Sequence, residues 1–210
     1  SICSDLIADL ADRNGAFDLF QVRRPQSDED GDGVADSEEM GPGGADDEFD
    51  GNGDGRPDRE QESVASLFAG LRPEYVTLAS SAGRFDVVRN ESEALLPPVP
   101  SGWDLPLGIL SFEVSGLANG AAVVVTLTMP PSVVPAGYLK LFPATGTVGE
   151  HWENFVPDGD TGATWSVGRI TLALRDGARG DRDGQADGRI RDPGAPVTQA
   201  PAVPVIRQVQ

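Results

Sequence analysis

Residues 28–39 read Asp-Glu-Asp-Gly-Asp-Gly-Val-Ala-Asp-Ser-Glu-Glu, with acidic side chains at positions 1, 3, 5, 9 and 12 of the run. Oxygen ligands on alternate residues of a tight loop point toward one centre, and Ca²⁺ takes six to eight oxygens at roughly 2.3–2.6 Å. The glycine at position 6 permits a sharp turn, and position 7 offers its backbone carbonyl. The run predicts a calcium loop, loop one, with ligands from Asp28, Asp30, Asp32, Val34, Asp36 and Glu39.

The same pattern recurs in residues 50–61, which we call loop two. Position 12 is here Gln61, a neutral side chain with one ligand oxygen where a bidentate carboxylate would bind best. We therefore expect weaker binding, or recruitment of an acid from Glu60, Glu62 or residues 46–48. The alternative is a solvated acidic linker, but two copies in register favour calcium. The predicted ligands of loop two are Asp50, Asn52, Asp54, Arg56, Asp58 and Gln61.

The charge balance restricts the partners of this chain. Its 210 residues carry a formal net charge of −18, which would repel nucleic acid and anionic membrane surfaces. Much of this charge lies in residues 28–62, where bound calcium would neutralise it, and without metal we expect that segment to be disordered. The sequence has no run of about 18 apolar residues, so no membrane-spanning helix is predicted. The length suits one β domain with an appendage.

The first residues suggest a processed, secreted chain. The sequence begins Ser-Ile-Cys-Ser without Met, and Cys3 is the single cysteine, so no internal disulfide can form. We expect this thiol to be inert, with an intermolecular bond or a lipid attachment as alternatives. A short helix is predicted to begin after Ser4 and end before Asn14, and residues 17–22 have the composition of a strand.

From Tyr75 onward, apolar and polar residues alternate with the period of two that indicates β-strands. Residues 110–114 and 123–129 flank a turn at Asn119-Gly120, which predicts a hairpin. Short strands with turns rich in glycine and proline predict an all-β fold, an antiparallel β-sandwich after a calcium-loop region of little regular structure. The other predicted strands are 75–78, 85–88, 138–142 and 170–174. The predicted divisions are an N-terminal segment 1–26, tandem calcium loops 27–62, a β-sandwich 63–196 and a C-terminal tail 197–210.

Several short motifs identify a family resemblance over about residues 28–196. They include Gly-Asn-Gly-Asp-Gly at 51–55, Val-Ser-Gly-Leu at 114–117, Gly-Asp-Arg-Asp-Gly at 180–184 and Asp-Pro-Gly at 192–194. With these motifs the chain resembles the bacterial choice-of-anchor U domain, preceded by loops similar to thrombospondin type 3 repeats. The resemblance implies an extracellular module of the bacterial cell surface without enzymatic activity. The residues after Pro196 contain no hydrophobic sorting helix, so the resemblance does not give the mode of surface attachment.

A third group of oxygen ligands lies near the C-terminal end. Oxygen-bearing side chains again stand on alternate residues, with Gly184 and Gly188 permitting turns, which makes a third calcium site possible. The alternative is a polar turn whose carboxylates accept hydrogen bonds from backbone N–H groups. The nearby Asp158 and Asp160 are interpreted as turn residues. The ligands of this possible third site are Asp181, Asp183, Gln185 and Asp187.

The residues favour a structural protein over an enzyme. No Gly-x-Ser-x-Gly elbow or phosphate-binding glycine loop is present, and His151, the single histidine, is expected to pack or stack. Lys140 is the single lysine, which we attribute to codon usage. Residues 197–210 include a β-prone segment that could be donated to a neighbour's sheet edge, which predicts a homopolymeric filament; alternatively the tail docks on its own sheet. The competing hypothesis is a monomeric adhesin or stalk domain that binds carbohydrate or a host protein.

Overall fold

A computed structural model describes residues 26–69 and 74–200, and the predicted N-terminal helix, the strand at 17–22 and Cys3 lie outside these ranges. Two three-residue 3₁₀ turns, Asp58–Glu60 and Glu93–Leu95, are the helical segments of the described ranges, and neither could cross a membrane. The strands are β1 (Val64–Ala69), β2 (Glu74–Ser80), β3 (Arg84–Glu91), β4 (Trp103–Asp104), β5 (Ile109–Ser115), β6 (Ala122–Thr128), β7 (Gly137–Phe142), β8 (His151–Asn154), β9 (Gly162–Ser166), β10 (Arg169–Arg175) and β11 (Ile190–Gln199).

The strands form two antiparallel sheets packed together, which confirms the predicted all-β sandwich. The first sheet has the order β1-β2-β6-β10-β9 and the second has the order β3-β5-β11-β7-β8, with β4 paired to β11. Inward side chains of both sheets, such as Phe112 and Val114 of β5 and Val125 and Leu127 of β6, belong to one buried apolar cluster. Because side chains alternate between the faces of a strand, the period-two pattern places one set in this core.

The predicted hairpin between the strands now called β5 and β6 is wrong. β5 pairs with β3 and β11, whereas β6 pairs with β2 and β10 in the other sheet. The Asn119-Gly120 turn therefore lies in a connection that crosses between sheets. The buried carboxylate of Asp176 accepts a hydrogen bond from the Gly120 N–H at 2.7 Å and another from the Gly188 N–H at 3.0 Å. Asp176 thus joins this crossover to the turn that precedes β11.

Strand β11 lies in the middle of the second sheet and contains two prolines. Pro193 is paired with β5 but not with β7, and Pro196 is paired with β7 but not with β5. A proline is tolerated there because its missing N–H need not serve a strand on both sides. The strand continues to Gln199, so the first three residues of the predicted tail 197–210 belong to the sheet. The Ala200 N–H donates to the Gly102 carbonyl at 3.0 Å, and residues 201–210 lie outside the described residues.

Candidate metal centre

Loop one is built from turns in which carboxylates accept backbone hydrogen bonds. Asp28 accepts the Gly31 N–H at 2.9 Å and the Gly33 N–H at 3.3 Å, and Asp32 accepts the Val34 N–H at 2.7 Å. Gly33 has a φ of 91°, and a Cβ there would lie 2.9 Å from the Cα of Val87 in β3. Glycine is therefore needed both for the turn and for the close approach of the loop to the sandwich.

Loop two repeats this arrangement. Asp50 accepts the Gly53 N–H and the Gly55 N–H, both at 2.7 Å. Asp58 accepts the Gly51 N–H at 3.0 Å, just as Asp36 accepts the N–H of the second residue of loop one at 2.9 Å. The repeat seen in the sequence is therefore also a repeat of backbone conformation.

Three carboxylates of loop one converge. Asp28, Asp30 and Asp32 place oxygens within 4.8 Å of one another, and theirs is the one group of three or more His, Cys, Asp or Glu ligands in residues 26–69 and 74–200 that meets this distance. Three like charges at such separations repel unless a cation or protons compensate them. The arrangement therefore fits a cation held between these side chains.

Four carboxylates at the junction of the loops and the sandwich have an oxygen without a hydrogen-bond partner. Asp32 and Asp58 are 0% exposed and Glu39 is 1% exposed, while Asp30 is half-buried. Eight buried side-chain atoms of the described residues lack a partner, and four of them are oxygens of these carboxylates. An uncompensated buried carboxylate is costly. A hard cation such as Ca²⁺ is the natural partner of unpaired carboxylate oxygens, so the side chains present fit this metal.

The electrostatics of the same side chains agree with this assignment. Burial raises the pKa of Glu39 to about 9 and the pKa of Asp32 to about 8, and neighbouring carboxylates add to both rises. Burial likewise raises the pKa of Asp30 to about 6, and it raises the pKa of Asp58. A bound cation would reverse these shifts, because it favours the ionised form of each group.

Side chains of β1 and β2 attach both loops to the sandwich. The Ser66 N–H donates to Glu39 Oε1 at 2.9 Å, and the Ser66 hydroxyl donates to Asp58 Oδ2. The hydroxyls of Ser66 and Thr77 are hydrogen-bonded to each other at 2.6 Å. Ser66 therefore contacts the last ligand of loop one and the ninth position of loop two. Sequence reasoning missed Ser66 and Thr77, because serine and threonine in a strand carry no signal for a contact with a distant loop.

Fewer of the predicted ligand oxygens in loop two than in loop one are free to bind a cation. The Gln61 amide donates to Asp54 Oδ1 at 3.2 Å and to the Arg56 carbonyl at 3.4 Å, and the Asn52 amide donates to Asp54 Oδ2 at 3.2 Å. Side-chain amides thus engage oxygens that the sequence assigned to calcium, and they would have to turn away for binding. The geometry agrees with the weaker second site expected from Gln61.

The residues of the possible third site have the geometry of the alternative, a polar turn. Asp181 accepts the Gly177 N–H at 2.9 Å and the Arg191 N–H at 3.2 Å. Asp183 accepts the Gln185 N–H at 2.9 Å and forms an ion pair with the Arg191 guanidinium. Asp187 accepts the N–H of Arg189 at 3.0 Å. Unlike the carboxylates of loop one, Asp183 is already paired with a cationic side chain, so the polar turn is the interpretation that fits these residues better.

The remaining polar residues singled out in the sequence have structural contacts. Asp158 accepts the Thr161 N–H at 2.8 Å, and Asp160 is paired with Arg175 at 2.8 Å, as expected of turn residues. The ring of His151 is stacked against another aromatic ring at a centroid distance of 6.3 Å, which confirms the stacking interpretation.

Comparison with family models, with curated proteins and with solved structures finds no match for this chain. The resemblance to choice-of-anchor U domains and thrombospondin type 3 repeats therefore stays a hypothesis.

The calcium-free protein should lose stability as the pH rises from about 4 to about 9. The folded-state pKa values of Asp32 and Glu39, about 8 and about 9, lie above the ordinary values of the unfolded chain. The folded state therefore binds more protons in this window, and its stability falls with deprotonation. Urea unfolding of metal-stripped protein at several pH values measures the slope. A Glu39→Gln variant, which lacks one of the two titrations, should show a shallower slope; an equal slope would contradict the assignment.

Proposed function

We propose that this chain is a secreted calcium-binding structural protein of the bacterial cell surface, in which calcium fixes the two loops to a β-sandwich. The observation that carries this proposal is the set of unpartnered, buried carboxylate oxygens on Asp30, Asp32, Glu39 and Asp58. Burying these carboxylates is costly, and a cation would compensate their charges without the uptake of protons. An extracellular compartment supplies calcium at the millimolar concentrations that such loops require.

The contacts of the loops support a structural role for the metal. Val34 of loop one belongs to the apolar core of the sandwich. The Tyr75 hydroxyl of β2 donates to the Glu38 carbonyl at 2.8 Å, and its ring contacts Phe49 edge to face at 5.3 Å. The loops thus cover part of the β1–β2 hairpin. We infer that calcium closes this cover and does not merely stiffen a free linker.

We further propose that the protein assembles into a calcium-stabilised filament of identical copies. The strand edge at β9 supports this, because Trp165 is 38% exposed there and Val167 in the following turn is 63% exposed. An edge strand with exposed apolar side chains is a template for pairing with another chain. Residues 201–210, near the end of the predicted tail 197–210, are the segment we propose for donation to such an edge.

Electron microscopy and sedimentation of the purified protein test the assembly. We expect filaments in calcium, fraying in EGTA and re-forming when calcium is restored. A truncation after Gln199 should remain a folded monomer, because it leaves β11 complete. A Trp165→Ser variant tests the acceptor edge separately and should also weaken assembly. Unchanged filaments in the truncation would contradict strand donation.

The alternative, a monomeric adhesin, has one observation in its favour. A cleft of about 750 Å³ is lined by Trp103 together with Glu91, Ser92, Glu93 and other residues. An aromatic ring beside polar groups is a surface that suits carbohydrate. A glycan array that binds the wild-type monomer, with binding lost in a Trp103→Ala variant that melts normally, would favour this alternative.

A further inference from the structure

The interior of the sandwich contains a lysine and an aspartate in direct contact. Lys140 Nζ lies 2.6 Å from Asp192 Oδ1, and the two side chains are 1% and 0% exposed. The other ion pairs of the described residues lie at or near the surface. Lys140 is also the single lysine among 16 basic residues of the sequence. All the other basic residues are thus arginines, and the one side-chain amine of the sequence lies in the core.

Strand register brings the two side chains together. Lys140 of β7 pairs with Gly194 of β11, and Asp192 lies two residues before Gly194 on the same face of the sheet. That face is the inner one, because Tyr138, two residues before Lys140, belongs to the apolar core. The ring centroid of Phe155 lies 5.3 Å from Lys140 Nζ. The pair is therefore shielded from water on a rigid part of the fold.

The contact does not have the geometry of a hydrogen bond. Neither Lys140 Nζ nor Asp192 Oδ1 has a hydrogen-bond partner, despite their separation of 2.6 Å. The Tyr138 hydroxyl donates to the other carboxyl oxygen, Asp192 Oδ2, at 3.3 Å. Burial lowers the pKa of Lys140 and raises the pKa of Asp192. Burial thus favours the neutral forms of both groups. A neutral amine is a nucleophile, and the carbonyl carbon of a neutral carboxylic acid is an electrophile that it can attack.

We propose that Lys140 and Asp192 condense into an intramolecular isopeptide bond that joins β7 to β11. The Lys140 amine attacks Cγ of Asp192, so that a C–N bond forms and the bond from Cγ to Oδ1 breaks. Oδ1 carries the proton of the neutral carboxylic acid, takes a second proton from the amine and leaves as water, and Oδ2 becomes the amide oxygen. The Tyr138 hydroxyl, which touches Oδ2, stabilises the negative charge that develops there.

Position and environment supply the driving force. The reaction consumes no oxidant or further reactant and releases one water molecule. Two groups held in contact react as if at an effective concentration of up to about 10⁵–10⁸ M. The product also replaces two buried polar groups that lack hydrogen-bond partners by a single neutral amide. The bond would fix the central strand β11 covalently to its neighbour, and this proposal is independent of calcium binding.

Intact mass spectrometry of the denatured wild-type protein tests the bond. We expect a mass lower than that of the sequence by one water molecule. A tryptic digest should join residues 90–169, uncleaved after Lys140, to residues 192–207. The full sequence mass, with free Lys140 and separate peptides, would overturn the proposal and leave a buried salt bridge. Because the measurement uses the wild-type protein, it does not depend on the folding of any variant.

Variants distinguish the isopeptide from other losses of water. Lys140→Met should restore the full mass. A deficit that persists in this variant would overturn the proposal, because it would then come from cyclisation at an Asp-Gly pair. Should single variants fail to fold, the double variant Lys140→Met/Asp192→Leu replaces the buried pair with apolar side chains and must also show the full mass. Tyr138→Phe should leave a larger unreacted fraction in freshly refolded protein, whereas an equal rate would exclude the role given to its hydroxyl.

Discussion

Removal of calcium should lower the unfolding temperature of the whole β-sandwich. Extracellular loops of this kind bind with dissociation constants of roughly 10⁻⁴–10⁻³ M, so about 10 mM calcium adds roughly 1.4–2.7 kcal/mol per site. For two sites this is about 3–5 kcal/mol, and a chain of this size gains about 2–4 °C per kcal/mol. The expected difference between calcium and EGTA is therefore on the order of 10 °C. The effect extends to the sandwich because Val34 is part of its core and Ser66 of β1 contacts Glu39 and Asp58.

The three tryptophans provide the readout for this experiment. Trp103, Trp152 and Trp165 lie in β4, β8 and β9, so near-UV circular dichroism follows the sandwich and not the loops. Magnesium at the same concentration is the control, because it prefers a smaller octahedral set of ligands and dehydrates reluctantly. Equal midpoints in calcium and EGTA would show that the loops do not couple a metal to the fold.

The substitution Glu39→Gln should change stability in opposite directions with and without calcium. In EGTA the variant should be more stable than the wild type, because burial and neighbouring carboxylates raise the pKa of Glu39 to about 9, and folding no longer requires this carboxylate to take up a proton. In calcium it should be less stable, because loop one loses a bidentate ligand and an affinity factor of at least about 10, or roughly 1.4 kcal/mol. The glutamine can still accept the Ser66 N–H, so the loop keeps its attachment. Calcium-dependent urea unfolding measures both signs.

Gln61→Glu is the matched control at the equivalent position of loop two. It adds the carboxylate that loop two lacks, so it should stabilise the protein in calcium and destabilise it in EGTA, opposite to Glu39→Gln in each condition. If both variants shifted stability in one direction regardless of calcium, their effects would come from packing alone.

The loops could be predicted from sequence because their chemistry is local. The ligands, the glycines and the turn hydrogen bonds all lie within twelve consecutive residues, so spacing alone specifies them. The contacts that attach the loops to the fold are not local. Ser66 lies 27 residues from Glu39, and nothing in β1 marks it as a partner of a carboxylate. The burial of Asp32, Glu39 and Asp58 could therefore be found only in the structure.

The fold class could be predicted more easily than the strand pairing. Alternation shows that each strand has one buried face, but in a sandwich the strands of both sheets have the same pattern. The pattern therefore predicts one hairpin for β5 and β6, although they lie in opposite sheets. The contact of Lys140 with Asp192 could likewise not be predicted, because it depends on the pairing of β7 with β11.

Isothermal titration of calcium into the metal-stripped protein tests the central claim most directly. We predict saturable binding of two ions, with dissociation constants of roughly 10⁻⁴–10⁻³ M, and the loss of the tighter event in Glu39→Gln. An absence of saturable binding, or binding of equal strength in the wild type and in Glu39→Gln, would contradict the assignment of the buried carboxylates to calcium.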